Sequence, residues 1–432
     1  MSRPVRLSTS PIKSIAKAGL WEAAHVLFGV YGLARRLRIR RSRPRLEDVR
    51  SILVIRLDLM GDLIFTLPAI DALREAAPRA TITALVLPYT GELLRGHPSV
   101  DRVIAVDVNR WRGPGVWATG TAARQLAAAI RELRRERYDL AVSFYGRVGA
   151  AAALLSGAGL LVGYREEGYP FTFDVGLPGR RYRKRRHESE YCLDLVRAFG
   201  APVREHDDTG ASEPAGPGTP PSPSGRGGAT RAGAEPVRLL VDPTAARRVE
   251  SKLHEAGVTP GDRLVALHPG ALNMEAKRWL PERWAEVADR VQRETRRRIL
   301  LVGSSAERSL AEEVRGHMAT DPVMLAGKTT LPELVALLAR CELFLGGDSG
   351  PLHVASALGL PSVSVYGPTD PAITGPMGPN ARVLRAHVGC NPCYDPMDPS
   401  ACPRPSPLCM AGVPVDEVWG AVREAIATSD ER

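Results

Sequence analysis

The stretch Ser51–Ile70, SILVIRLDLMGDLIFTLPAI, decides the fold. Its first residues, SILVIRL, form a short, β-rich apolar run that reads as a buried strand. The run stops at a loop holding Asp58, Gly61 and Asp62, and a second apolar run starts at once. LIFTLPAIDALREAAP reads as a helix with a proline in its early part, stopping near Pro78. Strand, tight turn and helix in direct succession open a parallel α/β unit. The loop itself has two readings. Asp62 caps the helix, with Gly61 making the turn, or a carboxylate stands at the mouth of a cleft as a general base.

Outward from this stretch the alternation continues. ATITALVL, RVIAV, DLAVSF and GLLVGY read as strands, and GTAARQLAAAIRELRRERY and ESEYCLDLVRAFG as helices, the second ending at Gly200. It then breaks. Residues 207–236 are rich in Pro, Gly, Ser, Ala and Thr and hold almost no large apolar side chains, which suits a flexible linker. Past it the alternation restarts. RLLVD, RLVALHPG, RRILLVGS, ELFLGGD and PSVSVYG read as strands, and PERWAEVADRVQRETR, AERSLAEEVRGHM, LPELVALLARC and GPLHVASALG as helices. The expected fold class is α/β, with two parallel-sheet domains covered on both faces. The domains are expected at 49–206 and 237–432, after a basic amphipathic extension at 1–48. Ligands of such sheets bind outside the carboxyl ends of the strands, so the site is expected in the cleft between the domains.

A chain of 432 residues suits two domains of roughly 150–200 residues each. Lys plus Arg number 58 against 48 Asp plus Glu, a formal charge of +10 that suits phosphate-rich or anionic partners. No secretory signal and no run of about 20 apolar residues is seen, so a cytoplasmic protein is expected. In the extension, a helix would offer Leu20, Trp21, Leu27, Phe28 and Tyr31 to an apolar medium, with the following arginines at anionic headgroups. The other reading is a helix packed on the protein's own surface. No aromatic-interleaved basic motif points to nucleic acid. Neither sheet opens with the Gly-x-Gly-x-x-Gly turn of a dehydrogenase.

Two further loops carry chemistry. LHPGALNMEAKRW follows a strand with His268, Gly270 and then Lys277, a glycine loop plus a cation that fits a phosphate. LFLGGDSGPLHV runs from a strand through Asp348, Ser349 and Gly350 into a helix. The first N–H groups of that helix would face a phosphate and Asp348 would bind hydroxyls, with Pro351 compatible with the helix start. Each loop also reads as plain structure: basic surface residues in one, a capped helix in the other. His353, one turn in, is more often structural than catalytic. Cys390, Cys393, Cys402 and Cys409 cluster in the loop 390–409, where a structural metal, a disulfide or free thiols are all compatible with the spacing.

Three blocks, ILVIRLDLMGDLIFTLPAIDALREAAP, LHPGALNMEAKRWLPERWAEV and GGDSGPLHVASALGLPSVSVYGPTDP, together resemble the heptosyltransferases of glycosyltransferase family 9. The cysteine-containing ending is similar to the tail of many members. The resemblance implies a GT-B fold of two Rossmann-like domains and inverting, metal-independent sugar transfer. The donor is a nucleotide-diphosphate-sugar such as ADP-heptose, with no further cofactor, and the acceptor is a glycolipid or cell-envelope glycan. It makes Asp62 the base and sets Lys277 on the leaving diphosphate. Asp348 holds sugar hydroxyls, Ser349 and Gly350 meet the phosphates, and Glu307 meets the ribose. Thr329 or Thr330 lies near the nucleotide base, while Asp58 and Gly61 belong to the acceptor side. It also implies residence on the inner face of the cell membrane. Serine at 349 replaces the usual threonine, and the extension and linker are additions to the family core. A non-catalytic sugar-nucleotide-binding protein on the same fold is the alternative. The joint presence of Asp62, Lys277 and Asp348 argues against it.

Overall fold

The computed structural model describes residues 11–38, 45–111, 121–179, 186–201, 239–271, 274–394, 402 and 407–430. The expected linker at 207–236 lies outside the described residues, as do the side chains of Leu20 and Trp21.

The first sheet holds strands β1 (Ser51–Arg56), β2 (Thr81–Val86), β3 (Arg102–Ala105), β4 (Leu140–Ser143), β5 (Leu160–Tyr164) and β6 (Val175–Leu177). All pairings are parallel and the spatial order is β3-β2-β1-β4-β5-β6. The second sheet holds β7 (Leu264–His268), β8 (Arg298–Leu301), β9 (Val323–Met324), β10 (Leu343–Gly347), β11 (Ser362–Val365) and β12 (Ala381–Leu384). Its order, β12-β11-β10-β7-β8-β9, repeats the first, again all parallel. Both are doubly wound Rossmann orders, whose switch point lies between the first and fourth strands.

The helices are α1 (Pro11–Arg38), α2 (Met60–Ala76), α3 (Pro88–Gly91), α4 (Thr121–Arg135), α5 (Gly146–Ser156), α6 (Glu188–Arg197) and α7 (Pro243–Glu255). They continue with α8 (Pro281–Thr295), α9 (Arg308–His317), α10 (Leu331–Ala339), α11 (Gly350–Ala357), α12 (Pro371–Thr374), α13 (Leu408–Ala411) and α14 (Val415–Asp430). Central strands are buried along their length because helices cover both faces: Ile52, Leu53, Val54 and Ile55 have no exposed surface. One hydrophobic cluster runs from Ile52, Leu63 and Ile70 of the first half to Leu334, Leu352 and Tyr366 of the second.

Two expectations change. RLLVD is not a strand: Leu240 and Val241 are exposed, and Asp242 caps α7 by accepting the N–H groups of Thr244 at 2.6 Å and Ala245 at 3.0 Å. Phe28 does not face outward. It stacks on Tyr169 with ring centroids 4.7 Å apart, so one side of α1 packs on the protein. Gly29 and Gly32 let the helix come close: a Cβ on Gly32 would stand 2.9 Å from the Phe171 carbonyl oxygen. Arg35 fixes the contact, with both Asp174 carboxylate oxygens accepting from Nη1 at 2.8 and 2.9 Å.

Candidate active site

The first half-site grows from the carboxyl end of β1. Arg56 ends this strand with no exposed surface, a position tolerated for a charge only when it is paired. Its Nε donates to Asp58 Oδ1 at 2.7 Å, and its Nη2 lies 3.0 Å from Asp62 Oδ1 and 3.1 Å from Glu188 Oε1. Burial opposes the charge on Arg56, but Asp58 and Asp62 outweigh it and raise the pKa above its ordinary value. Asp62 is not the helix cap. Leu59 occupies that position without a side-chain bond, and Asp62 stands in the first turn of α2, turned toward Arg56. Its side chain keeps 28% of its exposure, the most open of the three carboxylates on this guanidinium. Negative charge in a first turn is favoured by the helix dipole.

Sequence reasoning passed over Arg56 and Tyr89. An arginine ending the run ILVI was the available signal, since an unpaired charge has no place in a buried strand. Tyr89 lies in α3, just past β2, the strand beside β1. Burial, then Asp58 and Asp62, push its phenol up to about 12, against a hydrogen bond with the Met60 backbone. It is therefore a proton-bearing group beside the two carboxylates at neutral pH.

The second half-site lies at the carboxyl ends of β7 and β10. Lys277 Nζ donates to Asp348 Oδ2 at 2.8 Å. Burial would raise the Asp348 pKa, but Lys277 and His353 outweigh it and hold the carboxyl well below the usual carboxylate range. The Tyr394 ring lies 4.6 Å from Lys277 Nζ, a cation–π contact that the sequence did not flag. Ser349 sits at the N-cap of α11 but gives that helix no side-chain bond. Its Oγ instead lies 3.1 Å from His268 Nδ1, so Ser349 leaves the first N–H groups of α11 uncapped.

Glu307 Oε2 accepts from the Ser304 N–H at 3.0 Å and hydroxyl at 2.7 Å. Its Oε1 lies 3.3 Å from His268 Nε2, and a side chain on Gly270 would collide with that oxygen. Burial acts to raise the Glu307 pKa, yet His268 and Ser304 together pull it down to about 2. Thr330 is the N-cap of α10: its Oγ accepts the Glu333 N–H at 3.4 Å, and Glu333 Oε2 accepts the Thr330 N–H at 2.9 Å. Thr329 is half-buried beside it.

The two half-sites touch through α2 and α11. A Cβ on Gly61 would stand 2.6 Å from His353 Cδ2, and one on Gly350 would stand 3.1 Å from the Met60 side chain. His353 Nε2 lies 3.7 Å from Asp348 Oδ1, and the ring meets the Phe65 edge at 4.7 Å between centroids. Thus His353 connects Asp348 directly to the residue preceding Asp62.

The cysteine loop gives neither a disulfide nor a metal cage among the described residues. Cys390 and Cys393 face solvent while Cys409 is buried, and the thiols are near enough to act on one another: burial pushes the Cys393 and Cys409 thiols up, and Cys390 adds to both shifts.

Residues 239–402 match the profile of glycosyltransferase family 9 (heptosyltransferase). Lipopolysaccharide heptosyltransferase 1 of Escherichia coli K12 is 25% identical over 337 residues, covering 78% of this chain and 93% of that protein. The crystal structure of the glycosyl transferase family 9 from Veillonella parvula superposes with a TM-score of 0.70 at 23% identity, covering 88% of this chain and 98% of that one. The structure of E. coli ADP-heptose lps heptosyltransferase II gives 0.64 at 22% identity, covering 88% and 99%. The twin parallel sheets are accordingly a GT-B architecture.

Proposed function

We propose that this chain is a heptosyltransferase-like glycosyltransferase of family 9 that moves a sugar, heptose or a close relative, from a nucleotide-diphosphate-sugar to a lipid-linked cell-envelope glycan of the lipopolysaccharide type. ADP-heptose is the leading donor. The transfer inverts the anomeric centre and needs no catalytic metal, and the enzyme works at the cytoplasmic face of a membrane. Residues 49–206 serve the acceptor and 237–432 the donor.

One observation carries this reading: a partly open carboxylate, Asp62, and a buried Lys277–Asp348 pair are joined through the Gly61–His353 contact. The acceptor hydroxyl gives its proton to Asp62 while its oxygen attacks the anomeric carbon. The bond from that carbon to the diphosphate oxygen breaks, and its electron pair leaves with the nucleoside diphosphate. The developing charge meets Lys277 and the first N–H groups of α11. Preorganised donors of this kind contribute about 3–4 kcal/mol each. Asp348 anchors Lys277 and holds sugar hydroxyls, with His353 orienting it. Glu307, stabilised as an anion above Gly270, accepts from the ribose, and Thr329 and Thr330 border the nucleotide base. Arg56 and Asp58 orient Asp62 on the acceptor side.

The test is nucleoside-diphosphate release from a panel of nucleotide-sugars, run with and without a chelator, with product configuration read by NMR. Turnover of one donor, with inversion and unaffected by chelation, is expected. Asp62→Asn should lower kcat by about 10²–10⁴-fold with donor affinity retained. Equal loss of donor binding in that variant would make Asp62 structural, and loss of turnover on chelation would refute the metal-free mechanism.

A further inference from the structure

The outward face of α1 has no counterpart elsewhere in the described surface. Val26, Leu27, Val30 and Leu37 expose 64%, 67%, 62% and 76% of their area, and Leu33 and Tyr31 are exposed beside them. Val26, Val30, Leu33 and Leu37 follow one another at helical spacing, so they form a single stripe. Phe171, also exposed, continues the patch on the loop beneath, with the Arg36 guanidinium 5.7 Å from its ring centroid. An apolar stripe of this kind needs an occupant in a soluble setting.

We propose that this stripe is the surface by which the protein lies on an anionic lipid bilayer, in the plane of the headgroups; the proposal rests on the reading that the acceptor is lipid-linked. Three observations select the lipid surface. Arginines at 38, 40, 41, 43 and 45 follow the stripe directly, giving charge complementary to anionic headgroups. No helix among the described residues is long and apolar enough to cross a membrane, which leaves an interfacial position for an amphipathic one. The chain's own long polar segment, 207–236, lacks the large apolar side chains that would cover the stripe.

The inward face explains why such docking would orient the enzyme. Arg35 is buried, bonded to both oxygens of Asp174 and, through Nη2, to the carbonyls of Ala158 at 3.0 Å and Gly159 at 2.9 Å. Asp174 in turn accepts the Leu161 N–H at 2.8 Å, which ties the helix to β5 of the first sheet. A bilayer holding α1 therefore holds the sheet whose β1 ends in Arg56 and leads into α2 with Asp62. The membrane contact thus belongs to the acceptor half.

The experiment is flotation of the full chain with vesicles of phosphatidylcholine plus phosphatidylglycerol, and with phosphatidylcholine alone, in the absence of donor and acceptor. The full chain should float with the anionic vesicles and far less with the neutral ones. Val30→Glu and Leu37→Glu should each weaken anionic binding by roughly tenfold, the value of one buried aliphatic side chain. Both side chains are exposed, so melting temperatures and turnover on a water-soluble acceptor should stay unchanged. Variants that float like the parent would overturn the proposal. So would a dimer seen by sedimentation equilibrium that Val30→Glu dissociates, since the stripe would then bind a second copy. Flotation reads no chemistry, so failure of the proposed transfer reaction leaves this measurement intact.

Discussion

Replacing Gly61 with alanine tests how the two half-sites depend on each other. The added methyl would sit 2.6 Å from His353 Cδ2, where ordinary contact begins at 3.4 Å, so the ring must give by about 0.8 Å. It has little room, with the Phe65 ring 4.7 Å away between centroids and Asp348 Oδ1 3.7 Å from Nε2. Overpacking of this kind costs about 1–3 kcal/mol. Alanine returns up to ~1 kcal/mol through its better helix propensity in α2. Net destabilisation should therefore be small, at most about 2 kcal/mol. The effect on turnover should be larger. A shift of about 1 Å in a positioning group can cost on the order of 100-fold, and His353 is in contact with Asp348. The assay is kcat/KM together with urea unfolding for Gly61→Ala, His353→Ala and the double variant. Removing the ring removes the collision, so Gly61→Ala should cost nothing further in the His353→Ala background, a coupling of at least ~1 kcal/mol. Additive stabilities, or full activity in Gly61→Ala, would refute the reasoning.

Lys277→Ala should weaken binding of the nucleotide-diphosphate-sugar by about 10–100-fold by calorimetry, the worth of a charge-assisted hydrogen bond; unchanged affinity would remove Lys277 from the diphosphate. Glu307, depressed to about 2, contributes stability that is complete above its ordinary value of 4.5 and lost as pH falls toward 2. Glu307→Gln should remove that part of the acid limb in a denaturation series, and an unchanged limb would contradict the assignment.

The strands were legible because β1, β2, β4, β7 and β10 are buried on both faces and therefore read as unbroken apolar runs. The same rule misled at Leu240–Val241, an apolar pair that the fold leaves exposed ahead of the Asp242 cap. Helix α5, GRVGAAAALLS, carries no polar–apolar period because it is made almost wholly of small and aliphatic residues. Strand β6, three residues long, is too short for any pattern and is held by pairing to β5. In the site, Asp62, Lys277 and Asp348 were each visible as chemistry in a loop, but the partners that set their geometry were not. Glu188 and Tyr394 reach Arg56 and Lys277 from positions remote in the chain, and only the folded chain shows which carboxylates share which cation. The arginine-rich extension was legible as amphipathic, but which side faced out was decided by Gly29, Gly32 and Arg35 docking on the 169–174 loop.

The hydrophobic cluster running from Ile52 and Leu63 to Leu334 and Leu352 has a thermodynamic consequence. Two sheets with private cores alone would melt independently, and calorimetry would resolve two peaks. Each half does hold a cluster of its own, around Leu53 and Phe173 in the first and around Val265 and Trp284 in the second, but separating the halves also uncovers the shared apolar surface on α2 and α11, which couples their unfolding. Heat should therefore melt the whole chain as one cooperative unit, and a bound nucleotide-sugar in the second half should raise the melting temperature of the first.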